Sequence, residues 1–265
     1  MLIVLMTDFG VSHFVGQMKG RIQIISPNTK VIDLTHSIEK FNIIEAGFTL
    51  FNSINHFPNK SIFVCVVDPG VGSNRRSIII QTEKNIFIGP DNGLFTLIAD
   101  QCNLIKVIEI NNTDLVGENI GSTFHGRDIF APVAANINNG VNLNEFGSEI
   151  NPTSLIKISA FYPYEQDNSI IGNVIYSDTF GNLITNIHSS FLYKKNYSLE
   201  FLDFKIGNLA KTFSDVEIGE LVAYIGSSSY LEIALNQSSL KSKLIYDNKL
   251  TNSDLKKLIV KIIYH

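Results

Sequence analysis

The sequence predicts an α/β N-terminal domain with a largely parallel sheet, followed by a smaller, all-β, barrel-like C-terminal domain. Over the first part of the chain, apolar segments of strand length alternate with helical patterns, which is typical of an α/β layer. After about residue 150, short strand patterns follow one another closely and are separated by Asn, Gly and Ser, which favours a small antiparallel barrel or sandwich. The chain has 265 residues, of which 45% are hydrophobic, so it is long enough for two ordinary domains.

The predicted α/β domain covers residues 1–155 and begins with a buried strand, MLIVLM. The first helix has apolar residues at helical spacing from Phe14 to Ile25, and it ends before Pro27. The further predicted elements are the strand KVIDLT, a helix over 43–56, the strands SIFVCVV and NIFIG, and a helix over 129–138. Pro132 fits this last helix because proline is tolerated in a first turn.

The predicted barrel-like domain covers residues 168–265, and a polar, proline-containing linker over 156–167 precedes it. Its strand patterns are IIGNVIYSD, NLITNIH, SLEFLDFKIG, ELVAYIG, YLEIAL and KLIVKIIYH. Turn residues separate these short segments, which is the spacing expected of antiparallel strands.

Composition narrows the function classes. The formal net charge is -4, so the chain lacks the basic character of a nucleic-acid-binding protein. It has two cysteines, Cys65 and Cys102, which suits a reducing compartment rather than a disulfide framework. No basic leader precedes the first strand, and no apolar run reaches the length of a membrane span. The sequence therefore predicts a cytoplasmic protein with neither a nucleic acid nor a membrane as partner.

Three predicted strands are each followed by an aspartate: Asp8, Asp68 and Asp91. In open α/β sheets, ligands bind outside the carboxyl ends of the strands, so parallel strands would bring these carboxylates to one edge. Asp68 and Asp91 also suit simple turns, in Asp-Pro-Gly and Asp-Asn-Gly. Three strand ends that each carry an aspartate favour a binding site over three unrelated turns.

The segment VVDPGVGSNRR, residues 66–76, has glycines like those of a phosphate loop, but no Gly-Lys-Ser/Thr follows them. The sequence also lacks a dinucleotide fingerprint, a zinc-binding cysteine pair and a nucleophile elbow. In the segment GSTFHGRDIFAP, His125 lies beside Gly126, where the missing side chain would let a ligand approach the backbone. Arg127 and Asp128 at the start of the helix are explained by helix capping.

Taken in order, six segments resemble those of the S-adenosyl-L-methionine (SAM) hydrolases, or SAM hydroxide adenosyltransferases, which are related to fluorinases and chlorinases. The segments are TDFG, VVDPGVGSNRR, GPDNGLF, STFHGRDIFAP, DTFGNLITNI and IGSSSYLEIALNQ. The resemblance covers almost the whole chain. It implies hydrolysis of SAM to adenosine and L-methionine, by attack of water at ribose C5′ and without a metal or other cofactor.

The resemblance also implies an Asp-Arg-His catalytic set, which in this sequence is Asp68, Arg75 and His125. The related halogenases have a Tyr-Ser pair where this chain has His125-Gly126, and the serine helps to hold the halide. Its absence here favours water as the nucleophile.

The resemblance further implies substrate contacts from both domains. Asp8 would bind the ribose hydroxyls, Phe180, Asn182 and Phe213 the adenine, Ser227 and Ser228 the methionine carboxylate, and Asp178 the methionine ammonium group. His13 stands where the family has an acidic residue for the amine, which puts that contact in doubt. The resemblance implies a homotrimer, with each site between one subunit's first domain and its neighbour's second.

Two other functions remain open from the residues alone. A metal-dependent phosphoesterase could use Asp8, Asp68, Asp91 and His125 as ligands, because carboxylate and imidazole groups suit Mg²⁺ or Mn²⁺ chemistry. A non-catalytic nucleoside-binding or SAM-binding protein would keep the pocket but would gain nothing from Arg75 and His125.

Overall fold

The computed structural model describes residues 1–115, 121, 123–193, 197–207, 209–248 and 250–265. This part of the chain divides into two compact units, Met1–Ile158 and Ser159–His265. The first unit combines helices with a mixed sheet, and the second is built on an antiparallel sheet of barrel-like shape. The predicted fold class is therefore confirmed. The predicted domain limits, 1–155 and 168–265, stay a prediction about which segments fold on their own.

The strands of the first unit form one mixed sheet in the order β2-β1-β3-β5-β4-β6-β7. Their bounds are Leu2–Thr7 (β1), Lys30–Thr35 (β2), Ile62–Val66 (β3), Ser77–Thr82 (β4), Ile86–Pro90 (β5), Leu104–Ile110 (β6) and Gly147–Glu149 (β7). β1 pairs in parallel with β2 and β3, and β3 pairs in parallel with β5. β4 runs antiparallel to both of its neighbours, and β7 runs antiparallel to β6. The strands that carry the aspartates at their ends are thus parallel, as predicted.

Helices cover both faces of this sheet. They are α1 (His13–Ile25), α2 (Ile43–Ser53), α3 (Thr96–Gln101) and α4 (Ala131–Asn138), and a π-helix, Gly126–Phe130, leads directly into α4. Along β1, Ile3 and Leu5 belong to the apolar cluster that includes α1 and α4, whereas Val4 and Met6 belong to the cluster that includes α2. Successive side chains of a strand point to opposite faces, so β1 contributes to both cores.

The second unit has the strand order β12-β11-β15-β9-β10-β14-β13, with β8 paired to β9. The strands are Tyr164–Gln166 (β8), Ser169–Ser177 (β9), Leu183–His188 (β10), Tyr197–Phe201 (β11), Phe204–Ile206 (β12), Leu221–Ile225 (β13), Tyr230–Leu235 (β14) and Ile259–Tyr264 (β15). The segment SLEFLDFKIG, predicted as one strand, forms the hairpin of β11 and β12, because Leu202 turns the chain with a φ of 52°. The helices α5 (Leu240–Asn248) and α6 (Asn252–Leu255) were not predicted.

Within the described ranges, none of the helices is both long enough and apolar enough to span a bilayer.

Candidate active site

A cavity of about 370 Å³ opens at the carboxyl ends of the parallel strands of the first unit. Asp8, which follows β1, and Asp68, which follows β3, both line it. The other charged or titratable groups on its wall are Lys40 and His125. Among the residues that line the cavity, aromatic rings are prominent: Phe9, Phe14, Phe41 and Phe124. Such a cavity, largely apolar with a few convergent polar groups, is typical of a small-molecule site.

Asp68 and Arg75 form a buried ion pair at the cavity. Arg75 Nε lies 3.0 Å from Asp68 Oδ1 and 2.9 Å from Oδ2, and Arg75 Nη2 lies 2.5 Å from Oδ2. The side chains of Arg75 and Asp68 are only 7% and 5% exposed. Because water screens so little of this contact, the arginine holds the carboxylate in a fixed orientation.

Arg75 also holds His125, at the start of the π-helix. Its Nη2 lies 2.7 Å from His125 Nδ1. A guanidinium group has donors and no acceptor, so Nδ1 must accept this hydrogen bond. The neutral imidazole then carries its proton on Nε2. The predicted catalytic set, Asp68, Arg75 and His125, is thus one hydrogen-bonded chain with arginine at its centre.

The electrostatics favour this neutral imidazole. Burial lowers the pKa of His125, and the charge of Arg75 lowers it further, while Asp68 and Asp128 act in the opposite direction. Protonation would place a hydrogen on Nδ1, facing the guanidinium. The chain is therefore intact above the lowered pKa of His125 and is broken as the pH falls through it.

The segment that carries Asp68 and Arg75 is not a phosphate loop. It leads into a strand, β4, whereas a phosphate loop leads into a helix whose N-terminus faces the anion. Its own contacts hold it: Ser73 Oγ donates to the Gly70 carbonyl oxygen at 2.6 Å and accepts the Arg75 N–H at 3.3 Å. Gly72 has a φ of 81°, which suits glycine.

Asp91 has a different environment from the other two aspartates. Its Oδ2 accepts hydrogen bonds from Arg76 Nε at 2.9 Å and Nη2 at 2.5 Å, and its Oδ1 accepts the Ile156 N–H at 3.0 Å. It is not among the residues that line the cavity. Arg75 and Arg76 are adjacent, and neighbouring side chains of an extended segment point to opposite sides, so each arginine reaches a different aspartate.

A metal-dependent phosphoesterase has no support in this geometry. Arg75 engages both oxygens of Asp68, and Asp91 is paired elsewhere. Across the described residues, no group of three or more His, Cys, Asp and Glu side chains is arranged to hold a metal ion.

Asp8 and an aromatic wall form another part of the cavity. Asp8 Oδ2 accepts the Phe41 N–H at 2.9 Å. Burial raises the pKa of the Asp8 carboxyl. The hydrogen bond from Phe41 opposes this rise, and the charge of Asp68 adds to it.

The aromatic wall is formed by the rings of Phe9, Phe14 and Phe124, which meet edge to face with centroids 5.1 to 5.7 Å apart. His13, at the position where an acidic residue was expected, packs against the Phe14 ring at 4.4 Å.

In the second unit, Asp178 organises the turn between β9 and β10. Its Oδ1 accepts the N–H groups of Phe180 and Asn182, each at 2.9 Å, and its Oδ2 accepts Asn182 Nδ2 at 2.8 Å. The turn leaves the Phe180 ring 76% exposed. Phe180 is thus available to a ligand and is not part of the core.

Two further polar residues of this unit, Tyr224 and Glu232, were missed by the sequence analysis. The Phe213 ring lies 4.7 Å from that of Tyr224, whose hydroxyl donates to Glu232 Oε2 at 2.6 Å. Ser227 and Ser228 form the turn between β13 and β14, which contain Tyr224 and Glu232. Burial raises the pKa of Glu232, Tyr224 opposes the rise, and the charge of Asp178 adds to it. A glutamate inside the apolar strand YLEIAL was the signal that could have revealed this group.

A carboxylate and an imidazole at the wall of an apolar cavity, both oriented by one buried guanidinium, are typical of an enzyme that acts on a small molecule. Models of the SAM hydroxide adenosyltransferase N-terminal and C-terminal domains match residues 3–147 and 172–249. The chain belongs to the SAM hydroxide adenosyltransferase family. The predicted family and enzyme class are thereby confirmed.

Individual relatives agree with this assignment. The (R)-S-adenosyl-L-methionine hydrolase of Methanocaldococcus jannaschii is 35% identical over 250 residues, which cover 88% of each chain. A fluorinase of Actinoplanes is 26% identical over 275 residues, 90% of this chain and 92% of the fluorinase. The crystal structure of an uncharacterized conserved protein from Thermotoga maritima superposes with a TM-score of 0.85 at 33% identity, over 99% of this chain and 100% of that one.

The contact between Arg75 and His125 predicts a measurable shift. In Arg75→Gln, the pKa of His125 should rise, because the nearby cation that disfavours the imidazolium is removed and Asp68 then favours it. Titration of the imidazole resonances by NMR, with His125→Asn to assign the signal, measures this change. The matched control is Arg76→Gln, whose arginine binds Asp91 and should leave the titration of His125 unchanged. An unchanged titration in Arg75→Gln would show that the two side chains are not in contact.

Proposed function

We propose that this protein hydrolyses SAM to adenosine and L-methionine, with water attacking ribose C5′. The observation that carries the proposal is the chain Asp68–Arg75–His125 at the wall of a cavity of nucleoside size. The names of the hydrolase relatives support the same reaction.

The chemistry needs an oriented water rather than a strong base. In SAM the sulfonium makes C5′ electrophilic, and methionine leaves as a neutral thioether. The C5′–S bond breaks with its electron pair going to sulfur, while a C5′–O bond forms to water. Water has a pKa of about 15.7, so unassisted hydroxide is scarce at neutral pH. The site must therefore accept a proton, orient the water, or do both.

Asp68 and His125 can divide this work. Arg75 donates to both carboxylate oxygens of Asp68, and each oxygen has a further lone pair that can accept from water. The Nε2–H of His125 can donate to the same water, since Arg75 occupies Nδ1. Because a hydroxide-like nucleophile and a sulfonium neutralise each other as they react, a dry cavity favours the transition state.

The substrate contacts follow the residues implied by the family. Asp8 binds the ribose hydroxyls, Phe180, Asn182 and Phe213 bind the adenine, and Ser227, Ser228 and Asp178 bind the methionine part. The exposed Phe180 ring and the carboxylate of Asp8 on the cavity wall support this assignment. Gly126, in place of the halide-holding serine, supports water over halide as the nucleophile.

We further propose that the protein is a homotrimer in which each site lies between one subunit's first domain and its neighbour's second. Val11, Phe14 and Phe41 are exposed apolar residues in the same segments as the cavity wall, and a neighbouring subunit could cover them. A cyclic trimer joins two different faces, so one face can present the cavity and the other the barrel-like domain.

A cytoplasmic location and small-molecule partners complete the proposal. Cys65 and Cys102 are free thiols, which suits a reducing compartment. The net charge of -4 suits a small-molecule substrate better than a nucleic acid.

The assignment of Asp68 predicts a large loss of activity on its removal. Asp68→Asn should lower the rate of adenosine formation from SAM by about 100-fold or more, the usual scale for a positioned acid–base group. Chromatography of adenosine, in the presence of EDTA, gives the rate. Asp91→Asn is the matched control, because Asp91 is also a strand-end aspartate paired with arginine, and its variant should keep the wild-type rate per folded molecule. Near-normal turnover by Asp68→Asn, or loss of activity in EDTA, would refute the mechanism.

The shared site predicts complementation between subunits. Asp68→Asn and the double variant Phe180→Ala/Phe213→Ala should each be inactive alone. When both chains are co-expressed and mix at random, about one quarter of the sites combine two intact halves, so activity should return to roughly that fraction of wild type. Light scattering measures the accompanying mass of a trimer. Co-expression that restores no activity, or an active monomer, would place the whole site within one chain.

A further inference from the structure

We propose that His36 is a positioning residue for substrate binding, because it holds the turn Thr7–Gly10 that carries Asp8 to the cavity. This inference rests on the proposed function, in which Asp8 binds the ribose. His36 follows β2, next to β1 in the sheet, and it is not among the residues that line the cavity. Its effect on substrate must therefore pass through the turn.

Two contacts tie His36 to this turn, one on each side of Asp8. His36 Nδ1 lies 2.9 Å from Thr7 Oγ1, and the His36 carbonyl oxygen accepts the Gly10 N–H at 2.7 Å. Thr7 is fully buried and its Oγ1 also accepts the Phe9 N–H at 3.2 Å. The side chain of His36 thus orients the hydroxyl that fixes the backbone after Asp8.

Charged groups lie on the far side of the imidazole. His36 Nε2 lies 3.0 Å from Asp33 Oδ1, and Lys19 Nζ donates to Asp33 Oδ2 at 2.6 Å. Burial acts to raise the pKa of the Asp33 carboxyl. The contacts with Lys19 and His36 outweigh this effect, so the pKa is lowered. The alignment of Nε2 with Asp33 is too poor for a hydrogen bond, but the nearby negative charge favours a proton on Nε2, which leaves Nδ1 to accept the hydrogen of the Thr7 hydroxyl.

The turn has further contacts that do not involve the Thr7 hydroxyl, such as the hydrogen bond from the Ser12 N–H to the Gly10 carbonyl oxygen at 3.1 Å. Gly10 has a φ of 62°, and Asp8 itself is fixed through its hydrogen bond from Phe41. Phe9 packs its ring against Phe14 and Phe124, so contacts from outside the turn hold this ring at the wall. If the Thr7 hydroxyl lost its partner, the backbone that carries Asp8 would be less constrained, and the carboxylate would then depend on its hydrogen bond from Phe41.

The expected effect falls on binding rather than on the chemical step. Arg75 holds Asp68 and His125, and it belongs to the segment between β3 and β4, which is distant in sequence from Thr7 and His36.

Two variants test the contact. Thr7→Val replaces the hydroxyl with a methyl group of similar size. His36→Leu removes the imidazole, while the hydrogen bond from the Gly10 N–H to the carbonyl oxygen of residue 36 can persist. Each should raise KM for SAM and Kd for adenosine about tenfold and leave kcat within about twofold. Thr7→Ser should restore wild-type binding.

The test combines steady-state kinetics on SAM with calorimetry of adenosine binding, in the full-length protein. Thr82→Val is the matched control: Thr82 is also buried, and its Oγ1 also accepts backbone N–H groups in a strand-end turn, but it is not part of the cavity wall. It should leave KM and Kd unchanged.

The decisive test uses the Asp8→Ala variant as background. Adding Thr7→Val to it should weaken adenosine binding by no more than about twofold further, because both changes act through Asp8.

Each outcome has one meaning. Wild-type protein that neither binds adenosine nor turns over SAM would overturn the proposed function, and this inference with it. If the wild type is active, normal adenosine binding by Thr7→Val and by folded His36→Leu would overturn the inference alone. An additional tenfold loss in the Asp8→Ala background would also overturn it, because Thr7 would then act independently of Asp8.

Discussion

The site depends on one buried arginine that contacts Asp68, His125 and Ser77 at once. Arg75 donates to both oxygens of Asp68 and to Nδ1 of His125, and its Nη1 donates to Ser77 Oγ at 2.7 Å. A guanidinium group is a rigid, planar fork of donors, so fixing it fixes the direction of each acceptor. It also sets the tautomer of the imidazole, because His125 Nδ1 must accept from the guanidinium. Removing one partner of a buried pair costs roughly 3–5 kcal/mol, so this arrangement resists rearrangement.

The sheet explains how these groups meet although His125 is 50 residues from Arg75 in sequence. The parallel strands β1 and β3 end at the same edge, which brings Asp8 and Asp68 to one cavity. β4 then runs antiparallel and begins near that edge, so the arginine just before it returns to the aspartate just after β3. The π-helix presents His125 from the same unit, and the Phe130 ring of that helix lies 5.4 Å from the guanidinium carbon.

Much of this could be predicted from the sequence, and the failures have physical causes. The alternation of strands and helices was sufficient to predict the fold class. The aspartates at the strand ends were sufficient to predict which edge of the sheet holds the cavity. They could not separate Asp68 from Asp91, because both follow apolar strands and both meet arginines; the difference arises only when Arg75 and Arg76 point to opposite sides. The strand β4 was missed although its segment, SIIIQT, has the apolar, β-branched pattern of a buried strand; its antiparallel direction, in contrast, is set only by its neighbours in the sheet. Glu232 could have been found as a glutamate inside the apolar strand YLEIAL, whereas the role of His36 rests on a contact with Thr7 that no local pattern encodes.

The central claim is that water held by Asp68, Arg75 and His125 attacks C5′ of SAM. Incubation of the purified protein with SAM in ¹⁸O-enriched water, followed by mass spectrometry of the nucleoside, tests it most directly. The account predicts adenosine with one ¹⁸O atom at the 5′-hydroxyl, released together with unlabelled L-methionine. Adenosine without the label, or a nucleoside that still carries sulfur, would contradict it.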